Sequence, residues 1–343
     1  MKRASFQWIT VAVSLFLFVP GLARGAAKGA ANKLAHLPQA VQETIHAQIG
    51  DGKLEKVTKS TEGGDVVYEI EMTKAGKDRG FSVSAEGELL SMEVFLPETP
   101  AAVQKVIKQQ MGTGELQDID RTTDQGQVNY EVTVARDGKP RDFTVSHEGE
   151  LIELQVFLEE LPASIRQAVE KHTGGGKIGD ITRTTDEGQA SYEFEVTRDE
   201  KTRAITLDAA GKLVESQVFL EETPAEVRKT IQSRAEGGKV GEIRKLIDED
   251  EITYQVELTR NGKSLALTLD SKGAVIEEEE AMALTDAPGP VQKAINAQAA
   301  GGKVLGITRT TEEGEVSFEV ELAIAGKHKS VRMDAEGKIV NNQ

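Results

Sequence analysis

The stretch Val128-Asn129-Tyr130-Glu131-Val132-Thr133-Val134 alternates apolar and polar residues, which predicts a β-strand with one buried face. The same alternation, with an aromatic residue always third, returns at 66–72, 190–196, 252–258 and 316–322. These aromatic residues, spaced 62, 62, 62 and 64 residues apart, are Tyr68, Tyr130, Tyr192, Tyr254 and Phe318. A glycine follows each of them by nineteen residues, and a proline precedes each by thirty. A fixed period with constant internal spacing indicates tandem copies of one small unit, here five.

Each copy begins with a segment that predicts a short helix. A leucine stands four residues before each proline and is expected to anchor the helix; the leucines are Leu34, Leu96, Leu158, Leu220 and Leu284. Thr99 and Thr223 directly precede a proline, which predicts a threonine N-cap with proline at the first helical position. Glu226 would complete a capping box with Thr223. Glycines are expected to end each helix after about twelve residues, a length that needs a sheet to pack on.

Four strand signals separated by turns follow each predicted helix. The first strand is polar and rich in threonine, the second is the aromatic strand, and the third places apolar pairs such as Phe143 and Val145 on one face. The turn after the third strand carries the regularly spaced glycine, for which we expect a positive φ. The predicted fold class is therefore α+β, with tandem repeats of one helix packed on a four-stranded antiparallel meander sheet.

The domain organisation follows from the period and from the N-terminus. Lys2 and Arg3 precede an apolar stretch at 8–20 that is followed by small residues, a pattern typical of a secretory signal peptide. The prediction is a signal peptide at 1–25, a linker at 26–33 and copies at 34–95, 96–157, 158–219, 220–283 and 284–343. We therefore expect an exported protein, periplasmic or extracellular.

Two departures from the period concern the junctions between copies. The chain between Gly273 and Pro288 is two residues longer than elsewhere and contains the acidic run 277–280, so the fourth junction is expected to be looser. The first three copies end in valine-phenylalanine pairs, at 94–95, 156–157 and 218–219, whereas the fifth has none. These pairs either join consecutive copies or complete the core of their own copy.

Composition excludes several classes of partner. The formal net charge is -16, with 57 acidic against 41 basic residues, which argues against nucleic acid and anionic lipid. No segment after the N-terminus approaches the roughly 20 apolar residues of a membrane helix, so no membrane span is expected. The chain has no cysteine, and its stability must come from packing. We expect a monomer.

Carboxylates are the first candidates for ligand binding. The acidic turns at 124–126, 186–188, 248–250 and 312–314 could offer oxygen ligands to calcium, but ordinary hairpin turns are the favoured interpretation. Asp208, Asp270 and Asp334 precede the glycine turn, where an aspartate more often bonds its own backbone. Glu193 and Glu195 could form an acid/base pair, yet we expect an exposed face with nothing to raise either pKa.

Catalytic machinery is not predicted. The five histidines are expected at the surface without zinc-ligand spacing; they are His36, His46, His147, His172 and His328. No nucleophile motif and no phosphate-binding glycine loop is found. The predicted sets of catalytic, cofactor-binding and metal-binding residues are therefore empty, and an enzyme is not expected.

The third copy resembles the PepSY-like domains of bacterial secreted proteins, a group also described as β-lactamase-inhibitor-like. The resemblance rests on Tyr192-Glu193-Phe194-Glu195-Val196 and on Asp208-Ala209-Ala210-Gly211-Lys212, and it covers all five copies, about 300 residues. It implies a helix on a four-stranded antiparallel sheet and a non-catalytic module, since related domains occur in propeptides of secreted metallopeptidases.

The function expected from these observations is that of an exported, non-catalytic binding protein, inhibitor-like toward a secreted or envelope protein such as a peptidase. Five repeated acidic sheet faces would supply avidity from weak contacts. The alternative is a structural or cation-binding envelope protein without a specific protein partner.

Overall fold

A computed structural model describes residues 34–62, 65–124, 126–136, 138–186, 188–324 and 327–340. The predicted signal peptide and linker lie outside the described residues. Within them the chain is α+β, with five α-helices and nineteen strands. The helices are α1 (Gln39–Ile49), α2 (Ala101–Met111), α3 (Ala163–Thr173), α4 (Ala225–Ala235) and α5 (Gly289–Ala299). Short 3₁₀ turns at Leu96–Glu98, Leu158–Glu160, Leu220–Glu222 and Leu284–Asp286 precede α2 to α5.

The strands follow the helices in groups. They are β1 (Lys53–Glu62), β2 (Asp65–Lys74), β3 (Lys77–Ser84), β4 (Leu89–Glu93), β5 (Glu115–Asp124), β6 (Gln127–Arg136), β7 (Lys139–Ser146), β8 (Leu151–Val156), β9 (Lys177–Asp186), β10 (Gln189–Arg198), β11 (Lys201–Asp208), β12 (Leu213–Gln217), β13 (Lys239–Asp248), β14 (Glu251–Arg260), β15 (Lys263–Asp270), β16 (Val275–Ala281), β17 (Lys303–Glu312), β18 (Glu315–Ile324) and β19 (Lys327–Asp334).

The chain forms two compact units. The first ends at Val94 and also includes Thr122–Gly126; the second comprises Phe95–Arg121 and the residues from Gln127 onward. In the first unit, β1 pairs with β2, β2 with β3, and β3 with β4, all antiparallel. Helix α1 buries Val41 and Ile45 against the apolar faces of β2 and β3. The alternating sequence therefore produces a sheet with one face covered by a helix.

In the second unit, each strand from β6 to β19 pairs antiparallel with the next strand in sequence. Helices α2 to α5 pack on one side of this sheet. The predicted apolar positions are buried: Tyr192 and Phe194 of β10 meet Ile205 and Leu207 of β11 beneath α3. The period-2 pattern thus gives strands such as β10 and β11 one apolar and one polar side.

The N-terminal ends of the helices differ from the threonine caps predicted from the sequence. In α2 and α4 the proline itself occupies the cap position, and the side chains of Thr99 and Thr223 make no cap bond. Both threonines are buried, and each hydroxyl donates to the leucine carbonyl three residues earlier, at 2.9 Å for Thr99 and 2.7 Å for Thr223. The threonine cap and the Glu226 capping box are therefore wrong, because the preceding 3₁₀ turn uses these hydroxyls.

In each helix, a side chain near the N-terminus donates hydrogen bonds to backbone carbonyls of the segment that precedes the helix. In α2, Gln104 Nε2 donates to the carbonyl of Thr99 at 2.8 Å. In α4, Arg228 donates to three carbonyls, those of Leu220, Glu221 and Thr223, at 3.1, 2.7 and 2.8 Å. These bonds tie each helix to the carbonyls of the segment before it, including the Leu220 carbonyl that also accepts from Thr223, and so they fix the path of the chain into the helix.

The regularly spaced glycines adopt the predicted positive φ. The angles are 90° at Gly87, 87° at Gly149, 86° at Gly211, 82° at Gly273 and 77° at Gly337. The turn also touches a helix: Thr230 Oγ1 of α4 donates to the carbonyl of Gly273 at 2.8 Å. A Cβ at Gly273 would lie 2.7 Å from the carbonyl atoms of Glu226, so the position requires glycine for two separate reasons.

The junctions inside the second unit are made by strand pairing. The last strand of one group pairs with the first strand of the next, as β8 does with β9 through Glu153–Thr184 and Val156–Ile181. Val156 is buried in the core built around α3, β9 and β10, so this valine packs against the group of strands that follows it. The ring of Phe157, which directly follows β8, instead lies beneath Lys139 and Arg141 of β7, in the same group of strands as β8.

The fourth junction is paired over five residues, against four between β8 and β9 and three between β12 and β13, which contradicts the looser contact expected there. Strand β16 is seven residues long, against six for β8 and five for β12, and it pairs with β17 from Glu277–Glu312 to Ala281–Thr308. The two inserted residues lengthen the strand. Because two residues complete one pleat, every side chain keeps its face. As a result, β17 pairs with β16 about 7 Å farther along the strand than the corresponding strands do at the second and third junctions.

Candidate functional site

The side of the second unit's sheet that faces away from the helices carries most of its acidic strand residues. We call this side the outer face; between β8 and β13 it is defined by Glu153, Glu193, Glu195, Glu215, Glu242 and Arg244. Thr206 of β11 lies opposite Glu193 on one side and opposite Glu215 on the other. The alternation that buries Tyr192 and Phe194 therefore brings carboxylates from neighbouring strands together.

Glu193 lies at the centre of these carboxylates. Partial desolvation on the sheet raises its pKa, and repulsion from Glu195 and Glu242 raises it further, while Arg244 acts in the opposite direction. Its side chain nevertheless retains contact with water. The expectation that nothing raises the pKa on this face is wrong for Glu193, because its surroundings on the sheet partly desolvate the side chain, and because Glu195 and, on β13, Glu242 add repulsion.

Two further carboxylates of the outer face behave similarly. Desolvation raises the pKa of Glu215, opposed by Arg244, whose Nη1 lies 3.8 Å from Glu215 Oε1. Desolvation also raises the pKa of Glu153, although Thr144 donates a hydrogen bond to it at 3.3 Å. Arg244 is also 3.9 Å from Glu242, so one guanidinium is shared between carboxylates of two strands. The outer face therefore has an excess of negative charge.

The same pattern recurs farther along the outer face. Desolvation raises the pKa of Glu277, with added repulsion from Glu279 and Glu312. Desolvation and Glu319 raise the pKa of Glu279, while Arg332 lowers it. Carboxylates alternate with threonine hydroxyls in both regions, an arrangement suited to attracting cationic groups rather than to activating a nucleophile.

Cations cluster instead around the 3₁₀ turns. Lys139 and Arg141 lie over the ring of Phe157, at 4.8 and 5.1 Å from its centroid, and bind Glu159 and Glu160 at 3.4 and 2.5 Å. Desolvation acts to raise the pKa of Glu160, but hydrogen bonds from the Phe157 amide and Arg141 outweigh it and lower the pKa. Lys201, Arg203, Phe219, Glu221 and Glu222 repeat this arrangement. These cations are engaged within the fold.

The aspartates before the glycine turns bond their own backbone, as favoured from the sequence. Asp208 Oδ1 accepts from the amides of Ala210 and Lys212 at 2.9 and 2.8 Å, and Asp270 and Asp334 repeat the pattern. Of the histidines, His36, His46 and His147 are exposed. His172 is half-buried, and burial lowers its pKa.

Metal and membrane features were sought in the described part of the chain. Among these residues, no three side chains of the histidine, aspartate or glutamate type are placed to hold a metal ion together. The acidic turns at 124–126 and 186–188, for which ordinary hairpin turns were favoured over calcium sites, lie partly outside the described ranges. None of the described helices combines the length and the apolar character needed to cross a membrane.

Comparison with models of protein families shows which family this chain belongs to. A family model described as "Putative beta-lactamase-inhibitor-like, PepSY-like" matches residues 26–91, 136–215, 212–277 and 254–340, which together exceed half of the sequence. The chain belongs to the PepSY-like family. The resemblance read from Tyr192–Val196 and from the glycine turns is therefore confirmed at the level of the family.

Solved structures of Bacteroides proteins are similar to parts of this PepSY-like chain. A DUF2874 family protein from Bacteroides uniformis has 18% identity and a TM-score of 0.30, with 35% of this chain and 87% of that chain covered. A BLIP-like protein from Bacteroides fragilis has 18% identity and a TM-score of 0.27, with 34% and 84% covered. A comparison with curated proteins finds no match.

Proposed function

We propose that this PepSY-like chain is an exported, non-catalytic binding protein that acts on a secreted or envelope protein, such as a peptidase, in the manner of an inhibitor. Support for export comes from the N-terminal signal pattern at 1–25. Support for binding comes from the family description and from the acidic outer face.

We further propose the architecture of five copies at 34–95, 96–157, 158–219, 220–283 and 284–343. The support is the recurrence of one element order, a helix followed by strands, with the helix packed on the strands after it. In this arrangement each of the first four copies contributes one helix and a four-stranded antiparallel meander, whereas the described part of the fifth copy has one helix and three strands. We propose a monomer in which consecutive copies present their outer faces to one partner, so that weak contacts add.

The observation that carries the proposal is the charge imbalance around Glu193. Glu153, Glu193 and Glu215 have raised pKa values through desolvation, and Arg244 is the basic residue nearest to this group. A partner that places lysine or arginine side chains against this surface would relieve the repulsion. The interaction should therefore be sensitive to salt, because exposed charges are screened within about 10 Å at 0.1 M ionic strength.

The test is affinity capture with residues 26–343 against the secreted and envelope proteins of its own source, at 50 and 500 mM salt. A triple variant, Glu153→Gln, Glu193→Gln and Glu215→Gln, should lose the captured protein. A control variant, Glu148→Gln, Glu170→Gln and Glu200→Gln, removes the same charge from a turn, a helix and a hairpin and should retain it. Equal capture by both variants would refute the outer face as the binding surface. Empty capture at both salts would favour the structural or cation-binding alternative.

A further inference from the structure

Strand β1 has one edge without a strand partner in the described part of the chain. Its other edge pairs with β2 from Lys53 to Glu62. In the second unit, β9, β13 and β17 are the first strands of their groups, and each is paired on both edges because the last strand of the preceding group lies beside it. An unpaired edge presents a row of backbone N–H and C=O groups to another extended segment.

One apolar side chain of β1 is more exposed than its equivalents in the later groups. Val57 lies opposite Ile70 of β2 and packs against the first core, but it is only half-buried. The residues at the same place in β5, β9, β13 and β17 are between 2% and 5% exposed; they are Ile119, Ile181, Ile243 and Ile307. Val57 therefore lacks a cover that the other four positions have.

The junctions inside the second unit show what provides this cover. The amide of Val218 donates to the carbonyl of Ile243 at 2.9 Å, and the Val218 side chain packs against the core around α4. Val156 of β8 and Met282 after β16 occupy the same place at the other two junctions and contact the cores around α3 and α5. At each junction, an extended segment thus covers the isoleucine with a valine or a methionine.

The sequence before the first group has no such residue. The 62-residue period that relates Val156 to Val94 places Asn32 at the corresponding position. Leu34 is buried in the first core, but by the same period it corresponds to Leu158, which packs against the third core in addition to Val156. The period therefore assigns Val57 no apolar neighbour from the chain itself.

The charge of β1 adds a second requirement. Lys59 follows Val57 by two residues and so lies on the same face of the strand. Its side chain is exposed and forms no ion pair within the described residues. At the fourth junction, the equivalent residue Arg309 lies opposite Glu280 of β16, two residues before Met282. A carboxylate at that position of an added strand would therefore face Lys59.

We propose that the edge of β1 binds an extended segment of another protein as an added antiparallel strand. The segment places a valine or methionine opposite Val57 and a glutamate or aspartate, two residues earlier, opposite Lys59. Its backbone forms the hydrogen bonds that β8, β12 and β16 form at the junctions of the second unit. This edge belongs to the first unit and the outer face to the second, so a negative result here would leave the proposed function standing.

The test uses residues 26–343 labelled with ¹⁵N and a synthetic peptide, blocked at both ends, with the sequence of residues 276–284, which contains Glu280 and Met282. We expect saturable amide shifts confined to β1, β2 and α1. The same peptide with Met282→Asp should bind at least tenfold more weakly, although its added negative charge would strengthen a purely electrostatic attraction to Lys59. Shifts that do not saturate, shifts centred on β17, or equal affinity for the two peptides would overturn the proposal.

Two variants of the protein locate the bound segment. Lys59→Glu changes an exposed side chain and should weaken peptide binding several-fold. Lys53→Glu makes the same change of charge on the same strand, four residues before Val57, and should leave the affinity unchanged. Equal losses in the two variants would contradict the proposed register. Shifts of the β1 amides that depend on protein concentration in the absence of peptide would assign the edge to a second copy of the chain and would also overturn the proposal.

Discussion

Replacement of Gly273 by alanine tests how the strand turns fix the helices to the sheet. Gly273 has a φ of 82°, and an added Cβ would lie 2.7 Å from the carbonyl carbon and oxygen of Glu226 and 2.9 Å from the amide nitrogen of Val227. All three atoms belong to the backbone of α4, which cannot move aside as a flexible side chain can. The helix must therefore shift or the turn must open.

The expected loss of folding free energy has two components, and substitutions at two other glycines allow these components to be measured separately. A left-handed conformation costs an alanine about 1–2 kcal/mol, and overpacking against a backbone costs about 1–3 kcal/mol more. Gly262 has a φ of 75° with nothing within 4 Å of an added Cβ, so only the first part applies. Gly211 has a φ of 86° and a nearest contact of 3.3 Å, to the Ala168 methyl group. Losses should rise in the order Gly262→Ala, Gly211→Ala and Gly273→Ala, from about 1–2 to about 2–5 kcal/mol.

Native-state hydrogen exchange is the appropriate assay, because it reports the opening free energy of each group of strands separately. Gly273→Ala should lower the opening free energy of β15 and β16, and Gly211→Ala that of β11 and β12. If Gly273→Ala and Gly262→Ala proved equally destabilising, the contact with α4 would contribute nothing and the reasoning would be refuted.

Three further substitutions test individual contacts. Glu193→Gln should stabilise the protein by about 0.5 kcal/mol at pH 7, because the raised pKa of Glu193 means that its contribution to stability falls as the pH rises; thermal unfolding should show this gain vanishing near pH 3. Arg228→Ala should cost about 1.5–3 kcal/mol in urea unfolding, whereas Arg228→Gln, which supplies the side chain found in α2, should recover much of the loss. Phe157→Leu keeps an apolar side chain but removes the ring beneath Lys139 and Arg141, with an expected loss of about 0.5–1 kcal/mol; an undiminished stability would show that the ring contact is incidental.

The sequence predicts the repeated elements well because their signals are local. The alternation around Tyr130 determines which residues of β6 are buried, and the five regularly spaced glycines adopt the left-handed φ that their spacing suggested. The helices end at glycines in α1 to α3, but Glu236 and Ala300 occupy the left-handed position after α4 and α5. In those two cases the glycines follow one residue later, which shows the limit of predicting a boundary from composition.

The outer face could be predicted only in part because its chemistry depends on pairing between strands distant in sequence. Glu193 and Glu195 are on one strand and were recognisable from alternation. Glu242 is on β13, and its effect on Glu193 requires the sheet to continue through β12 into the next group of strands. Likewise, the donation from Thr99 to Leu96 depends on a 3₁₀ turn for which no sequence signal was found.

The insertion before β17 shows how a repeat sequence can vary without losing its fold. A single extra residue would turn every following side chain of β16 to the opposite face and would direct Met282 away from the core around α5. Two residues preserve the pairing parity, so Met282 still reaches the core around α5 and its amide still donates to the Ile307 carbonyl at 2.9 Å. What changes is the length of strand between one helix and the next. Insertion of two residues therefore changes the surface at a junction while the repeated core is retained. At the fourth junction, that surface contains Arg309 and Thr311.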